Sequence, residues 1–170
     1  MKLRKADSFI SNDTESTLFP TKKTILLTEY ELGKNKPTLL IANVHALNFP
    51  PGSSGFENQL TKLKTIIEKH KGPVIVSGDF NTWSDEKLTY LKDIVTMLGL
   101  SEVEYANKDA IKTAPWYCRS LMFFIFDRTP LDHIFYSQKF LKLNRKGRVL
   151  TEIKVSDHYP LSVEFKLKNI

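Results

Sequence analysis

An α/β or α+β sheet layered with helices is the fold class this sequence predicts, and three observations predict it. Short β-forming runs alternate with two amphipathic helical stretches, no βαβ period repeats, and turn formers separate the segments. Residues 1–22 are polar after the first few positions and lack a period. They are expected to form a loop or loose arm ahead of one domain over residues 23–170. Residues 23–32 (KTILLTEYEL) are rich in β-formers, Lys34-Asn35 supply a turn, and residues 38–45 (TLLIANVH) return as the second arm of a hairpin. Residues 48–55 (NFPPGSSG) are a loop of turn formers.

Over residues 56–71, Phe56, Leu60, Leu63, Ile66 and Ile67 share one helical face, and Gly72-Pro73 end it. A short strand follows within residues 72–84 (GPVIVSGDFNTWS). Ser84 or Asp85 can then cap a second helix, with Leu88, Leu91, Ile94, Val95 and Leu98 at helical spacing and Gly99 as its stop. Two short strands, residues 130–136 (PLDHIFY) and 161–165 (LSVEF), close the chain, with another expected around 150–155.

Composition narrows the function classes. No apolar run approaches the roughly 18 residues that span a bilayer, and the N-terminus has no apolar h-region. The single cysteine, Cys118, excludes an internal disulfide framework. A cytoplasmic location is the expectation from these three features. The net charge of +6 is mild and spread along the chain. A solvated basic surface accounts for it; the functional alternative is a field that draws in a polyanion, nucleic acid or an anionic membrane surface.

The polar chemistry gathers at strand ends. The motifs are Asn43-Val44-His45, Asp79-Phe80-Asn81, Asp132-His133 and Ser156-Asp157-His158, and they hold three of the four histidines. Each has a bland reading as a turn former or a satisfied core histidine. Four together at strand termini indicate a site, because ligands of layered sheets bind in the crevice at strand ends. Alternate residues of an extended chain share a side, so Asp79 and Asn81 are expected to face one target with Phe80 turned into the core. A carboxylate there can take a proton from an attacking water while the carboxamide donates to a phosphoryl oxygen.

The stretches NVH (43–45), GDFN (78–81), PLDHIF (130–135) and SDHYPL (156–161), in this order, resemble the endonuclease/exonuclease/phosphatase superfamily of metal-dependent phosphodiesterases. The wording around them resembles an uncharacterised bacterial branch of it. The resemblance runs from about Thr24 to Phe165 and implies a deoxyribonuclease-like layered sandwich. It also implies roles. His158 would contact the scissile phosphate as general base or transition-state stabiliser, with Asp132 holding its tautomer. Asp157 would ligate Mg²⁺ (or Mn²⁺), Asp79 would orient or activate the attacking water, Asn81 would bind a phosphate oxygen, and His45 would sit near the leaving group. His133 is expected to be structural. Nucleic acid is the first substrate guess, with phospholipid or another small phosphodiester next.

The superfamily fold has two similar halves, and two-sheet domains of this kind run to ~200–250 residues. No match to the family's early asparagine strand or to its metal-binding glutamate precedes Thr24, and neither Glu15 nor Glu29 has the right context. The expectation is an N-terminally truncated member, matching the C-terminal two-thirds, of doubtful activity. An uncovered sheet face or edge would then favour a homodimer. Residues 111–126 (IKTAPWYCRSLMFFIF) read either as a buried element or as a substrate-facing aromatic loop.

Overall fold

A six-stranded mixed sheet forms the framework, with strand order β1-β2-β3-β4-β6-β5. Its strands are β1 (Lys2–Ile10), β2 (Thr24–Glu31), β3 (Leu39–His45), β4 (Val74–Asp79), β5 (Leu100–Glu102) and β6 (Asp132–Ser137). The computed structural model describes residues 1–14, 20–48, 54–107, 130–156 and 158–169. The β3–β4 pairing is parallel, with α1 (Ser54–Lys69) on the crossover, and the other pairings are antiparallel. Two small sheets pair β7 (Leu141–Leu143) with β10 (Phe165–Leu167) and β8 (Arg148–Val149) with β9 (Leu161–Ser162).

Side-chain alternation divides the core between the two faces of the large sheet. Leu40, Ala42 and Val44 of β3, Val74 and Val76 of β4 and Phe135 of β6 pack under α1 and α2 (Asp85–Met97) with Phe56, Leu60, Leu63, Ile67, Leu91 and Val95. Leu39, Ile134 and Tyr136 belong to the opposite face, where Leu141 and Val149 of the small sheets cover them. Both helices match their apolar periods, and Ser84 caps α2 by accepting from the Lys87 amide at 3.3 Å. No helix among the described residues is long and apolar enough to cross a membrane.

Three expectations are corrected. The first half of the supposed arm is strand β1, which pairs with β2 from Lys2 opposite Glu31 to Ile10 opposite Thr24. Its polar sequence hid it because β1 is an edge strand with mostly exposed side chains, so it carries no apolar period. The strand expected at 150–155 is instead β8 at Arg148–Val149 followed by turns, and the one expected at 161–165 is split into β9 and β10. Leu3, Ile10 and Leu26 stand exposed on β1 and β2, and β1 is the outer strand of the large sheet. Residues 111–126, Cys118, Glu15 and Asp157 lie outside the described residues.

Candidate active site

Register brings the site together. In β3, β4 and β6, His45 is opposite Asp79, and Asp79 is opposite Asp132. The three residues continue the series Ile41-Asn43-His45, Ile75-Ser77-Asp79 and Asp132-Ile134-Tyr136, so all three project from the face opposite the helices. Main-chain bonds clamp the end of β4 on both sides: the Ala46 amide donates to the Asp79 carbonyl at 2.8 Å, and the Phe80 amide donates to the Leu131 carbonyl at 2.8 Å.

His158 reaches the same spot from the segment ahead of β9. Its Nδ1 lies 2.6 Å from Asp132 Oδ2, and its Nε2 lies 3.9 Å from Asp79 Oδ2. A carboxylate can only accept, so Nδ1 donates to Asp132, and Nε2 is the ring nitrogen that faces Asp79. His45 Nε2 is 3.8 Å from the same Asp79 oxygen. These two gaps exceed a direct hydrogen bond. Asp79 Oδ2 is therefore a carboxylate oxygen between two imidazoles, while Oδ1 accepts from the Asn81 amide at 2.9 Å.

The electrostatics of Asp79 follow from its setting. Burial raises its pKa above the usual carboxylate value and the Asp132 charge adds to the effect, while the Asn81 amide and the two imidazoles oppose it. A carboxylate so placed is a better proton acceptor than one in water.

Asn81 sits in the left-handed region at φ 49°, so the chain turns there instead of continuing extended. Phe80 is fully buried, as expected. The Asn81 carboxamide does not lie beside the Asp79 carboxylate as two alternating strand residues would. It is 4% exposed, donates through Nδ2 to the Ala46 carbonyl at 2.9 Å and accepts from Trp83 Nε1 at 3.1 Å. In this position it braces the turn that follows β3. A phosphate contact would have to use its second Nδ2 hydrogen.

Several supporting residues carry no signal in the sequence. Gln59 on α1 donates to the His45 carbonyl and accepts from the Leu47 amide, both at 3.1 Å. Lys87, 6% exposed on α2, donates to the carbonyls of Leu47 at 3.0 Å and Asn48 at 2.7 Å. With Asn81 they satisfy the backbone of a turn that has no ladder partner, which holds His45 in place. Lys87 lies on the helical face of Leu91, Ile94 and Leu98, so the period turns it inward, and only the packed structure reveals the carbonyls that its ammonium meets. His133 is buried against Phe135 and Phe80; its Nδ1 meets Glu102 Oε1 at 2.7 Å and its Nε2 meets Thr82 Oγ1 at 3.0 Å and the Pro130 carbonyl at 3.1 Å. It ties the approach to Asp132 to the turn after Asn81, which is the structural part expected of it.

The donor set can be compared with what a hard divalent cation requires. Among the described residues no three His, Cys, Asp or Glu side chains converge to hold a metal ion. One oxygen of Asp132 is given to His158 and one of Asp79 to Asn81. Mg²⁺ takes oxygen ligands in near-octahedral geometry, and the described residues alone do not build such a cage. The expected ligand, Asp157, lies outside them.

The model of the Endonuclease/Exonuclease/phosphatase family matches residues 4–158. The chain belongs to this family. The match begins inside β1, which agrees with that strand's place in the sheet. Relatives include the UPF0294 protein of Vibrio campbellii, 35% identical over 147 residues, and that of Photorhabdus laumondii, 36% identical over 148. The alignments cover 86% and 87% of this chain but 46% and 50% of those proteins, so the chain spans about half the length of the curated relatives it matches. Among solved structures it is similar to the catalytic domain of human Nocturnin with a bound sulfate anion (TM-score 0.62, 21% identity, 98% of this chain and 60% of that one). It is also similar to the mannosyl-6-phosphatase of Bacteroides thetaiotaomicron (0.66, 18%, 97% and 67%) and to the beta toxin of Staphylococcus aureus (0.69, 18%, 96% and 64%). At such identities the likeness establishes the deoxyribonuclease-like fold of the family.

Proposed function

We propose that this chain carries the catalytic face of a phosphate-ester hydrolase that attacks phosphorus with water. The observation that carries the reading is the row His45, Asp79, Asp132 on adjacent strands with His158 bonded to Asp132 at 2.6 Å. In this reading Asp132 fixes the tautomer of His158, whose Nε2 takes a proton or donates to the phosphoryl oxygens. Asp79 Oδ2 orients the attacking water, and its burial favours proton uptake. His45 faces the leaving-group side. Mg²⁺ or Mn²⁺, with Asp157 as candidate ligand, would neutralise phosphoryl charge when bound. A phosphodiester in nucleic acid is the first substrate class, supported by the +6 net charge. Phospholipid or another small phosphodiester is the alternative.

One observation favours a second reading. The described residues do not complete a metal cage, which suits a phosphate-binding or interaction module with weak or no turnover. Hydrolysis of bis-p-nitrophenyl phosphate with and without Mg²⁺ separates the two. The hydrolase reading expects turnover that falls about 10⁴-fold in Asp132→Asn and at least as far in His158→Ala, with melting temperatures close to the parent. Full activity in either variant removes the mechanism. Phosphate binding without any turnover supports the module.

A further inference from the structure

Both ring nitrogens of His133 meet groups that accept. On one side Nδ1 lies 2.7 Å from Glu102 Oε1, and a carboxylate offers lone pairs only. On the other, Nε2 lies 3.1 Å from the Pro130 carbonyl, which has no hydrogen to give. The Thr82 hydroxyl, 3.0 Å from the same nitrogen, donates to that carbonyl and so accepts from the ring. A neutral imidazole carries one N–H and can satisfy one side. Only an imidazolium makes all of these contacts as hydrogen bonds.

The surroundings suit a cation. The ring is 1% exposed, and a buried charge persists when it is paired and hydrogen-bonded. The contact with Glu102 has the length of a charge-assisted bond. Glu102 lies opposite Phe135, so its side chain shares the helix-covered face with His133. Phe80 and Phe135 enclose the ring at centroid distances of 5.8 and 5.5 Å. Among the described residues the ionisable group that meets the ring is Glu102. Asp79 and Asp132 project from the other face, and Lys87 of α2 is turned to the carbonyls of Leu47 and Asn48. The ring also sits where the site is built. Asp132, the next residue, holds His158 at 2.6 Å, while Nε2 grips Pro130 ahead of Asp132 and Thr82 beyond Asp79 and Asn81. One doubly protonated ring thus ties the stretch that carries Asp132 to the turn that follows Asp79. Without its Nδ1 proton, a lone pair would face the carboxylate at 2.7 Å, and the two groups would repel.

We infer that His133 is a positioning residue of this site, acting as an imidazolium ion-paired with Glu102 whose two N–H groups hold Asp132 and Asp79 in their mutual geometry. The inference rests on the phosphate-ester reading above and adds to it a proton, stored behind the reacting groups, on which their placement depends.

Glu102→Gln in the full chain tests it. The carboxamide keeps the size and an accepting oxygen but not the charge that favours the cation, so the variant's His133 ring should lose its second proton at lower pH than the parent's. Nitrogen NMR of the histidine-labelled chain reads this, with two N–H nitrogens on the parent's His133 at about pH 7 as the expected result. Kinetics with bis-p-nitrophenyl phosphate and Mg²⁺ read the consequence. The variant-to-parent ratio of kcat/KM cancels the titrations of Asp79 and His158, which both chains share. It should stay within about twofold of one at about pH 5.5, where an imidazole is protonated without help, and fall roughly tenfold by about pH 8. A ratio that is the same at both pH values overturns the inference, since an uncharged brace would behave so. A lone pair on either nitrogen of the parent's His133 at about pH 7 overturns it as well. If the parent hydrolyses no ester, the His158 ring-nitrogen shifts replace the kinetics, because they report the bond to Asp132. A shift change in Glu102→Gln at about pH 8 but not at about pH 5.5 then upholds the inference and only the hydrolase reading fails; unchanged shifts overturn it.

Discussion

Gly78 is where the strand carrying Asp79 has the least room. It lies opposite Val44 in the parallel β3–β4 pair, and its φ of +141° is a conformation that L side chains rarely adopt. A Cβ placed there would stand 1.9 Å from the Val44 carbonyl oxygen and 2.8 Å from two further Val44 backbone atoms. Carbon and oxygen approach no closer than about 3.3 Å, so Gly78→Ala must push the strands apart by about 1.4 Å. Backbone gives way less easily than a side chain, and the ladder around Val44 and Asp79 loses bonds worth about 1 kcal/mol each. Two such bonds plus about 2 kcal/mol for the strained φ come to about 4 kcal/mol. For a chain of this size that is a fall in melting temperature of roughly 8–16 °C. Gly99→Ala is the matched control. It has a left-handed φ of +63° but open space around the added carbon, so it should cost about 1 kcal/mol and roughly 2–4 °C. Differential scanning calorimetry of the two variants is the assay. Equal losses, or a Gly78→Ala midpoint within about 4 °C of the parent, would refute the steric account.

Two further outcomes follow from the site itself. Because burial raises the Asp79 pKa in the folded chain, the folded state binds its proton more tightly than the unfolded state. Stability is therefore lost as pH rises from the ordinary value of 3.8 through the raised one, and the full penalty persists above that window. Asp79→Asn in EDTA should melt higher than the parent at pH 7, and the gain should vanish below pH 3.8; a neutral-pH loss of stability would contradict the assignment. His133→Phe keeps the ring stacked on Phe135 but removes the contacts to Glu102, Thr82 and Pro130. Glu102 is partly exposed, so the expected cost is only about 1–2 kcal/mol, read as a lower urea midpoint with turnover reduced alongside. An unchanged midpoint would show that the brace contributes nothing.

How much of this was legible beforehand depends on the residue. GDFN and SDHYPL pointed to a phosphate site because a carboxylate, a carboxamide and imidazoles at strand ends suit that chemistry, and the helices were visible in their apolar periods. β1 was not visible, since an edge strand with exposed polar side chains has no period to read. Asn81 was misplaced in its geometry because the extended alternation stops one residue after Asp79, where φ turns positive. Lys23, Gln59 and Lys87 were invisible for one shared reason: each acts on a backbone or ring brought close by register or helix packing, over 22, 14 and about 40 positions respectively.

By itself the amino-acid order determined the helices and the central hairpin, because these depend on local period, and its ordered motifs carried the resemblance to the family that the comparison bears out. Only the tertiary structure decided that His45, Asp79 and Asp132 stand in one row, that His158 bonds to Asp132, and that Lys23 Nζ comes within 2.8 Å of His45 Nε2. Those facts belong to strand register, and register is a long-range choice made when β3, β4 and β6 pair so that one set of faces is buried under the helices and the polar ends meet on the other side.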